Sequence, residues 1–352
     1  MNICKHNLGL FLLMISSMLC AQNGRPFNAF YYPTGLVIDS KDNVYVCGLN
    51  NKIIRITPDG LAFDFAGNPN SAVGFKDGKG PAAKFDSPKH MAIDSHDTIY
   101  VTEPNAIRKI APDGTVTTFA GNKGNTMKDG PLSMASFRNP EFITIDRNKN
   151  IYVTDMGTDD RNNAYFVIRK ISLQGEVTTL RSKEGQELRY DFCGLACDKD
   201  GNIIACDMGS RCIKKITPDG TVSVVAGQCG KRFSNPVYKE GDIQTAELMT
   251  PLAITFSKDG DLYFSDLRLH RIIKISGGKV TTVAGNAEID MTHANIMGYA
   301  KEGYADGKAK SALFNFPQAI AFDSKGSLFI VDQGNQCVRK LSNDGIVTTF
   351  YK

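Results

Sequence analysis

Five carboxylates occupy one position of an internal repeat. Gly48, Glu103, Asp155, Asp207, Asp266 and Asp332 each follow a short apolar run. Such a ring could hold a metal, calcium being the candidate, with Asp155 and Glu141 as its weak ligand candidates. The plainer reading is that each carboxylate caps its own hairpin turn, as Asp commonly does, and near-identical residues in every repeat suit a structural need. Positions where the repeats disagree carry more information. One reads Thr34, Lys89, Glu141, Cys193, Leu252 and Gln318. The next reads Gly35, His90, Phe142, Gly194, Ala253 and Ala319. Lys89, His90 and Glu141 come from adjacent repeats and can form a polar cluster. A His beside a Glu is either an acid/base pair or a hydrogen-bonded pair without chemistry. Between the second and third runs, the third repeat inserts Thr158-Asp159-Asp160-Arg161-Asn162-Asn163. Other repeats offer Arg211, Arg268, His270 and Gln333 there. Arg and Asp on one rim can hold a sugar or an acidic ligand; a solvated rim is the plain alternative. The candidate ligand-binding set is therefore Lys89, His90, Glu141, Asp159, Arg161, Arg211, Arg268, His270, Gln318 and Gln333.

Signatures of known catalysis are absent from the sequence: no Gly-x-Ser-x-Gly elbow, His-Glu-x-x-His or phosphate loop occurs. The turn Asp198-Lys-Asp-Gly-Asn202 faintly suggests calcium, but it is too short for a full ligand set.

The elements that must position these residues are six copies of one pattern. In the second copy, Pro88 to Asp94 is followed by Thr98-Ile-Tyr-Val101, Ile107-Arg-Lys-Ile110 and Val116-Thr-Thr-Phe-Ala-Gly121. Each copy holds four short runs rich in Val, Ile, Tyr, Phe and Thr, separated by turn residues, as hairpin-linked strands are. One four-stranded sheet cannot bury both its faces; sheets stacked radially can. The spacing predicts an all-β, six-bladed β-propeller of four-stranded antiparallel blades in a single domain over 22–352. The blades fall at about 30–67, 86–121, 138–181, 191–227, 249–285 and 315–352. The Arg and Lys of Ile-Arg-Lys-Ile alternate with buried positions and are expected to solvate the propeller wall. In an up-and-down meander the long second-to-third turns and the blade connections share one face, where binding residues are expected.

The chain has 352 residues, 42% hydrophobic and 22% charged, which excludes a disordered protein. A formal charge of +4 from 41 basic and 37 acidic residues implies no nucleic-acid partner. No interior stretch is long and apolar enough to span a membrane. Lys5 and His6, the apolar run Leu8 to Leu19, and Cys20-Ala21 read as a signal peptide over 1–21, with a lipid anchor at Cys20 as the minor reading. Export to the periplasm, envelope or medium follows. Seven cysteines then remain, an odd number, and Cys206 with Cys212 is the best-placed pair. Cys47 and Cys206 share a repeat position that elsewhere holds Thr, Ser or Val.

Pro-x-Gly-x-x-x-Asp, Ile-Arg-Lys-Ile and Val-Thr-Thr-Phe-Ala-Gly resemble the NHL-repeat family over nearly all of the mature chain. Before four blades stands a linker of one spacing. It reads Asp77-Gly-x-x-x-x-Ala83-x-Phe85, then Asp129 to Phe137, Glu240 to Leu248 and Asp306 to Phe314. Its Gly is expected to start a short helical turn, and its Ala and Phe to pack between blades. It is missing between repeats three and four. The resemblance implies the fold more firmly than a function, since such propellers include binding proteins and enzymes. The expectation is an exported scaffold that binds a protein, small molecule or glycan through its loop-rich face. The alternative is a metal-dependent hydrolase or lyase acting on carbohydrate or a lactone. Convergence of Lys89, His90, Glu141, Asp155 and His270 on one deep pocket favours chemistry; a shallow rim favours binding.

Overall fold

The computed structural model describes residues 31–121, 124–158, 164–230, 238–286, 300 and 302–352. The signal peptide and Cys20 lie outside them, as do Asp159, Arg161 and His293. Each repeat folds as one antiparallel blade. Blade 1 holds Pro33–Ile38, Val44–Gly48, Ile53–Ile56 and Ala62–Ala66. Blade 2 holds Met91–Ile93, Ile99–Glu103, Ala106–Ile110 and Thr115–Ala120; blade 3 holds Pro140–Ile145, Ile151–Thr158, Ala164–Ile171 and Glu176–Thr179. Blade 4 holds Phe192–Cys197, Ile203–Asp207, Cys212–Ile216 and Val222–Ala226. Blade 5 holds Pro251–Phe256, Leu262–Asp266, Arg271–Ser276 and Lys279–Ala284; blade 6 holds Pro317–Phe322, Leu328–Asp332, Cys337–Leu341 and Ile346–Tyr351. First strands of neighbouring blades touch around the axis. No helix of the described residues is long and apolar enough to cross a membrane.

Blades 2, 3, 5 and 6 gain a fifth, two-residue strand on their outer edge: Gly78–Lys79, Gly130–Pro131, Gly241–Asp242 and Gly307–Lys308. These are the linker glycines. The expected helical turn starts only after the strand in blade 2, at Gly80–Ala82, and in blade 6, at Ala309–Ser311. The Ala and Phe that follow are fully buried, Ala83 and Phe85 in one core with Tyr45 and Ile53 of blade 1 and Val101 of blade 2. Each inter-blade seam therefore has its own apolar core, and burial of both blade faces is what makes the ring stable.

The short turns of the opposite face are built on Asp. Asp39 accepts the N–H groups of Lys41 and Asn43, and Asp198 those of Asp200 and Asn202. Turn chemistry, not calcium, accounts for these residues. The same face is laced between blades: Asp97 accepts from Ser40, and Asp42 from Ser324, the latter across the seam where the last blade meets the first.

Three sequence expectations need correction. First, Cys212 pairs with Cys229, not with Cys206. Cys212 lies opposite Asp207 in the sheet, whereas Cys206 lies opposite Ile213 and its sulfur faces Cys193. Second, the arginines of Ile-Arg-Lys-Ile do not solvate the wall: Arg108, Arg169 and Arg339 are fully buried. The third strand is sandwiched between blades, so the arginine is buried at the seam and only the lysine after it stays partly exposed, as Lys274 and Lys340 do. Third, the carboxylates after the second strands do more than cap their own turns. Glu103, Asp155 and Asp332 hold those arginines at 2.6, 3.0 and 2.8 Å. They also accept the backbone N–H groups of Asp86, Asn139 and Asn315, where the chain enters each blade. The second guanidinium nitrogen of each Arg reaches the linker carboxylate, Asp77, Asp129 or Asp306. Blade 4 has no such linker and carries Lys214, a single-point cation, on Asp207 instead.

Glycine is required where blades approach most closely near the axis. A Cβ on Gly194 would lie 2.2 Å from the Leu252 carbonyl oxygen of the next blade. Gly194→Ala is expected to cost about 2 kcal/mol through the backbone shift it forces, read by chemical denaturation; a loss within experimental error contradicts this packing.

Candidate functional site

A cavity of about 270 Å³ opens on the loop-rich face, at the end of the axis where the first strands begin. Five blades line it, so no single blade makes the site. Thr34 comes from blade 1, Lys89 and His90 from blade 2, Asn139 and Glu141 from blade 3, Leu252 from blade 5, and Phe316, Gln318 and Gln333 from blade 6.

The backbones of these residues are held by one recurring bond. Thr102, in the second strand of blade 2, donates its hydroxyl to the Glu141 carbonyl of blade 3 at 2.6 Å. Ser265 does the same to the Gln318 carbonyl at 2.9 Å, and the Cys47 thiol to the Lys89 carbonyl at 3.1 Å. Cys47 thus does the work of the Thr and Ser that other repeats place there. Burial pushes its thiol up to about 12, so it stays protonated and a donor. The result is a set of ties at three of the six seams, each fixing a residue whose side chain can reach the mouth.

Among the side chains, Lys89 donates from Nζ to Asn139 Oδ1 at 2.6 Å across a blade boundary. Gln318 Nε2 donates to Gln333 Oε1, and Gln333 Nε2 to the Pro33 carbonyl, joining the last blade to the first. His90 does not engage Glu141. Its ring stacks on Phe142, with centroids 4.0 Å apart. Burial, and then the charge of Lys89, push its pKa down to about 3. His90 is therefore neutral at pH 7 and far from the value that suits a general base. The wall contains one cation, one carboxylate, neutral amides and an apolar surface of Leu49, Leu252, Leu267, Phe166 and Phe316.

The other sequence candidates lie elsewhere. His270 is buried, and its Nδ1 accepts the Phe316 N–H at 3.0 Å, so it orients a cavity residue without lining the cavity. Burial depresses it to about 4. Arg211 and Arg268 are close enough that Arg268 adds to the lowering of Arg211 by burial, but neither lines the cavity. Asp155 is occupied by Arg169 and two backbone N–H groups. Among the described residues, no three His, Cys, Asp or Glu side chains gather as a metal site. Asn139, Phe166 and Phe316 were not singled out from the sequence, whereas Leu252 stands at a varying position that was. The residue before each first-strand proline or its equivalent (Tyr32, Ser87, Asn139, Asp191, Thr250, Phe316) varies as freely as the one after it, and that signal could have found two of them.

No family model matches the chain. It is 26% identical over 279 residues to teneurin-3 of Mus musculus, covering 76% of this chain but only 8% of that protein. It thus spans less than a tenth of that relative's length. Among solved structures, an auxiliary nutrient binding protein of Bacteroides thetaiotaomicron superposes with a TM-score of 0.61 at 16% identity, over 91% of this chain and 69% of that one. Virginiamycin B lyase from Staphylococcus aureus superposes with a TM-score of 0.51 at 17% identity, over 91% and 84%. At these identities the likeness shows the fold alone: a six-bladed β-propeller.

Proposed function

We propose that this chain is an exported, NHL-type propeller that binds a small molecule, glycan or peptide segment in the mouth of its loop-rich face. The observation that carries the reading is the five-blade cavity, in which a few fixed polar groups interrupt an apolar wall; this is the composition of a binding site that orients its ligand. Lys89 and Glu141 supply one charge of each sign, and Gln318 and Gln333 supply amides for hydroxyl or peptide groups. The likeness to a nutrient-binding propeller is consistent with such a role. A lyase or hydrolase is the weaker reading. His90 lacks the protonation behaviour of an acid/base group, and Asp155 and His270 do not join Lys89, His90 and Glu141.

The test is calorimetric titration of residues 22–352 with neutral, amino and acidic oligosaccharides and short peptides, with and without EDTA. A ligand is expected to bind equally in EDTA. Lys89→Ala, Glu141→Ala and Gln318→Ala should each weaken it about ten-fold, the effect of losing one good polar contact. Binding that none of the three alters would move the site elsewhere. Turnover that EDTA abolishes would restore the enzyme reading.

A further inference from the structure

The cavity is two-sided. Its charged side chains, Lys89 and Glu141, stand at the same repeat position of blades 2 and 3, with Asn139 beside them. In a ring of six, blades 5 and 6 lie across the axis from blades 2 and 3. They contribute Leu252, Leu267 and Phe316. The polar side chains that blade 6 adds, Gln318 and Gln333, are uncharged amides and bond to each other. Blade 3 also brings Met156 and Phe166, so apolar surface reaches toward the charged side.

Both charges are held in place, and they do not pair with each other. The Lys89 carbonyl accepts from the Thr34 hydroxyl at 2.6 Å and from the Cys47 thiol, and the Glu141 carbonyl from Thr102. The Lys89 ammonium turns to Asn139 Oδ1, using one of its three donors. The apolar wall is fixed as firmly. Tyr32, Ser87 and Phe316 each precede the proline of a first strand, and all three line the cavity with φ of 46°, 49° and 54°. A residue before proline favours extended backbone, and a bulky one at positive φ is an outlier. The bond from the Phe316 N–H to His270 Nδ1 helps to hold that conformation. Such strain persists where the surrounding structure imposes it, and it gathers at ligand clamps.

We propose that the occupant is a compact apolar zwitterion of the α-amino acid class. Its ammonium meets Glu141, its carboxylate meets Lys89, and its side chain lies against Leu252, Leu267 and Phe316. The inference rests on the cavity being the binding site. A ligand that fills and dries the mouth while carrying no charge, or only one, leaves Lys89 or Glu141 without a partner, which is costly. A zwitterion pairs both, and an α-amino acid carries both charges at one end and its apolar body at the other, as the cavity does. The volume of about 270 Å³ lies just below the range for drug-sized ligands. That suits an amino acid or dipeptide and is too small to enclose an oligosaccharide.

The test is calorimetric titration of residues 22–352 with leucine and phenylalanine. The comparison ligands are N-acetyl-leucine, which lacks the ammonium, leucinamide, which lacks the carboxylate, and glycine, which lacks the apolar side chain. Leucine is expected to bind about ten-fold or more tightly than each of the three. Glu141→Gln should remove the preference over N-acetyl-leucine, and Lys89→Met the preference over leucinamide, each leaving the other preference in place. A merely structural role would weaken all five ligands alike and would overturn the assignment. The series on the wild-type chain decides even where a variant does not fold. N-acetyl-leucine or leucinamide binding as tightly as leucine overturns the proposal, and so does a lack of heat from leucine and phenylalanine at millimolar concentration. Glucose or N-acetylglucosamine bound instead, and weakened by Lys89→Ala, overturns the ligand class alone and keeps the cavity as the site. No response to sugars, amino acids or peptides overturns both.

Discussion

Arg169→Met will destabilise the protein by about 3–5 kcal/mol, the cost of leaving a buried carboxylate without its partner. Asp155 is fully buried, and burial raises its pKa; Arg169 and the N–H groups of Asn139 and Arg138 oppose that rise. The guanidinium also donates to the carbonyls of Ser136 and Lys128 and lies 5.0 Å from the Phe137 ring. It thus joins the second strand, the linker and the plug residue of one blade. Arg339 repeats the arrangement with Asp332, Asp306, Phe314 and two carbonyls, and Arg108 repeats it with Glu103, Asp77, Phe85 and the Lys84 carbonyl. Blade 1 shows what the fold does without it. Gly48 stands at the carboxylate position and Ile54 at the arginine position, so both charges are lost together. Hence Asp155→Gly with Arg169→Ile should be distinctly less costly than Arg169→Met alone. Asp129 is partly exposed and can be left to water. Urea denaturation of Asp155→Gly, Arg169→Ile and the variant carrying both reads the coupling directly. Additive losses would mean that the two charges do not depend on each other.

That network was present in the sequence and only half readable. The recurrence of a carboxylate at the end of five of the six second strands was plain, as was an acid at the head of each linker and an Arg after the first Ile or Val of three third strands. Fold class and blade count followed from period and turn residues, which depend on local preferences. What did not follow was which residue of the third strand meets solvent, because stacking against the next blade buries the arginine and leaves only the following lysine partly exposed. Reading alternation as inside and outside put Arg108, Arg169 and Arg339 on the wall. The cavity was legible in part for a related reason. Lys89, His90, Glu141, Gln318 and Gln333 were marked by differing from their repeat counterparts, and topology placed all of them at one end of the axis. Whether a side chain there turns inward is decided by its neighbours in other blades: Phe142 captures His90, and the Phe316 N–H captures His270. Those contacts join residues 52 and 46 positions apart, and nothing local encodes them. The disulfide failed in the same way, since Cys229 lies in an irregular connection with no strand register to place it.

The same two histidines give the second large effect. His90 titrates at about 3 and His270 at about 4 in the folded protein, against an ordinary value near 6.5. The unfolded chain therefore binds protons first as pH falls. The neutral, buried rings contribute their full stability above pH 6.5, and that contribution is lost as pH falls from 6.5 toward the folded values. Each His removes ~3 kcal/mol by pH 4.5, at about 1.4 kcal/mol per pH unit. The buried carboxylates act in the opposite sense. Burial raises Asp332 to about 6 and raises Asp155 and Asp266 as well, so the folded state takes up their protons first and gains stability as pH falls through that range. The wild-type slope is the difference of the two sets, and it cannot be assigned to either by itself. His90→Phe separates them, because it keeps an aromatic ring against Phe142 and removes one titrating group. Between pH 6.5 and 4.5 the variant should lose stability less steeply than the wild type, by about one proton's worth of slope. Parallel curves would show that His90 is not buried as a neutral ring, and would return it to consideration as a proton-transfer group at the cavity mouth.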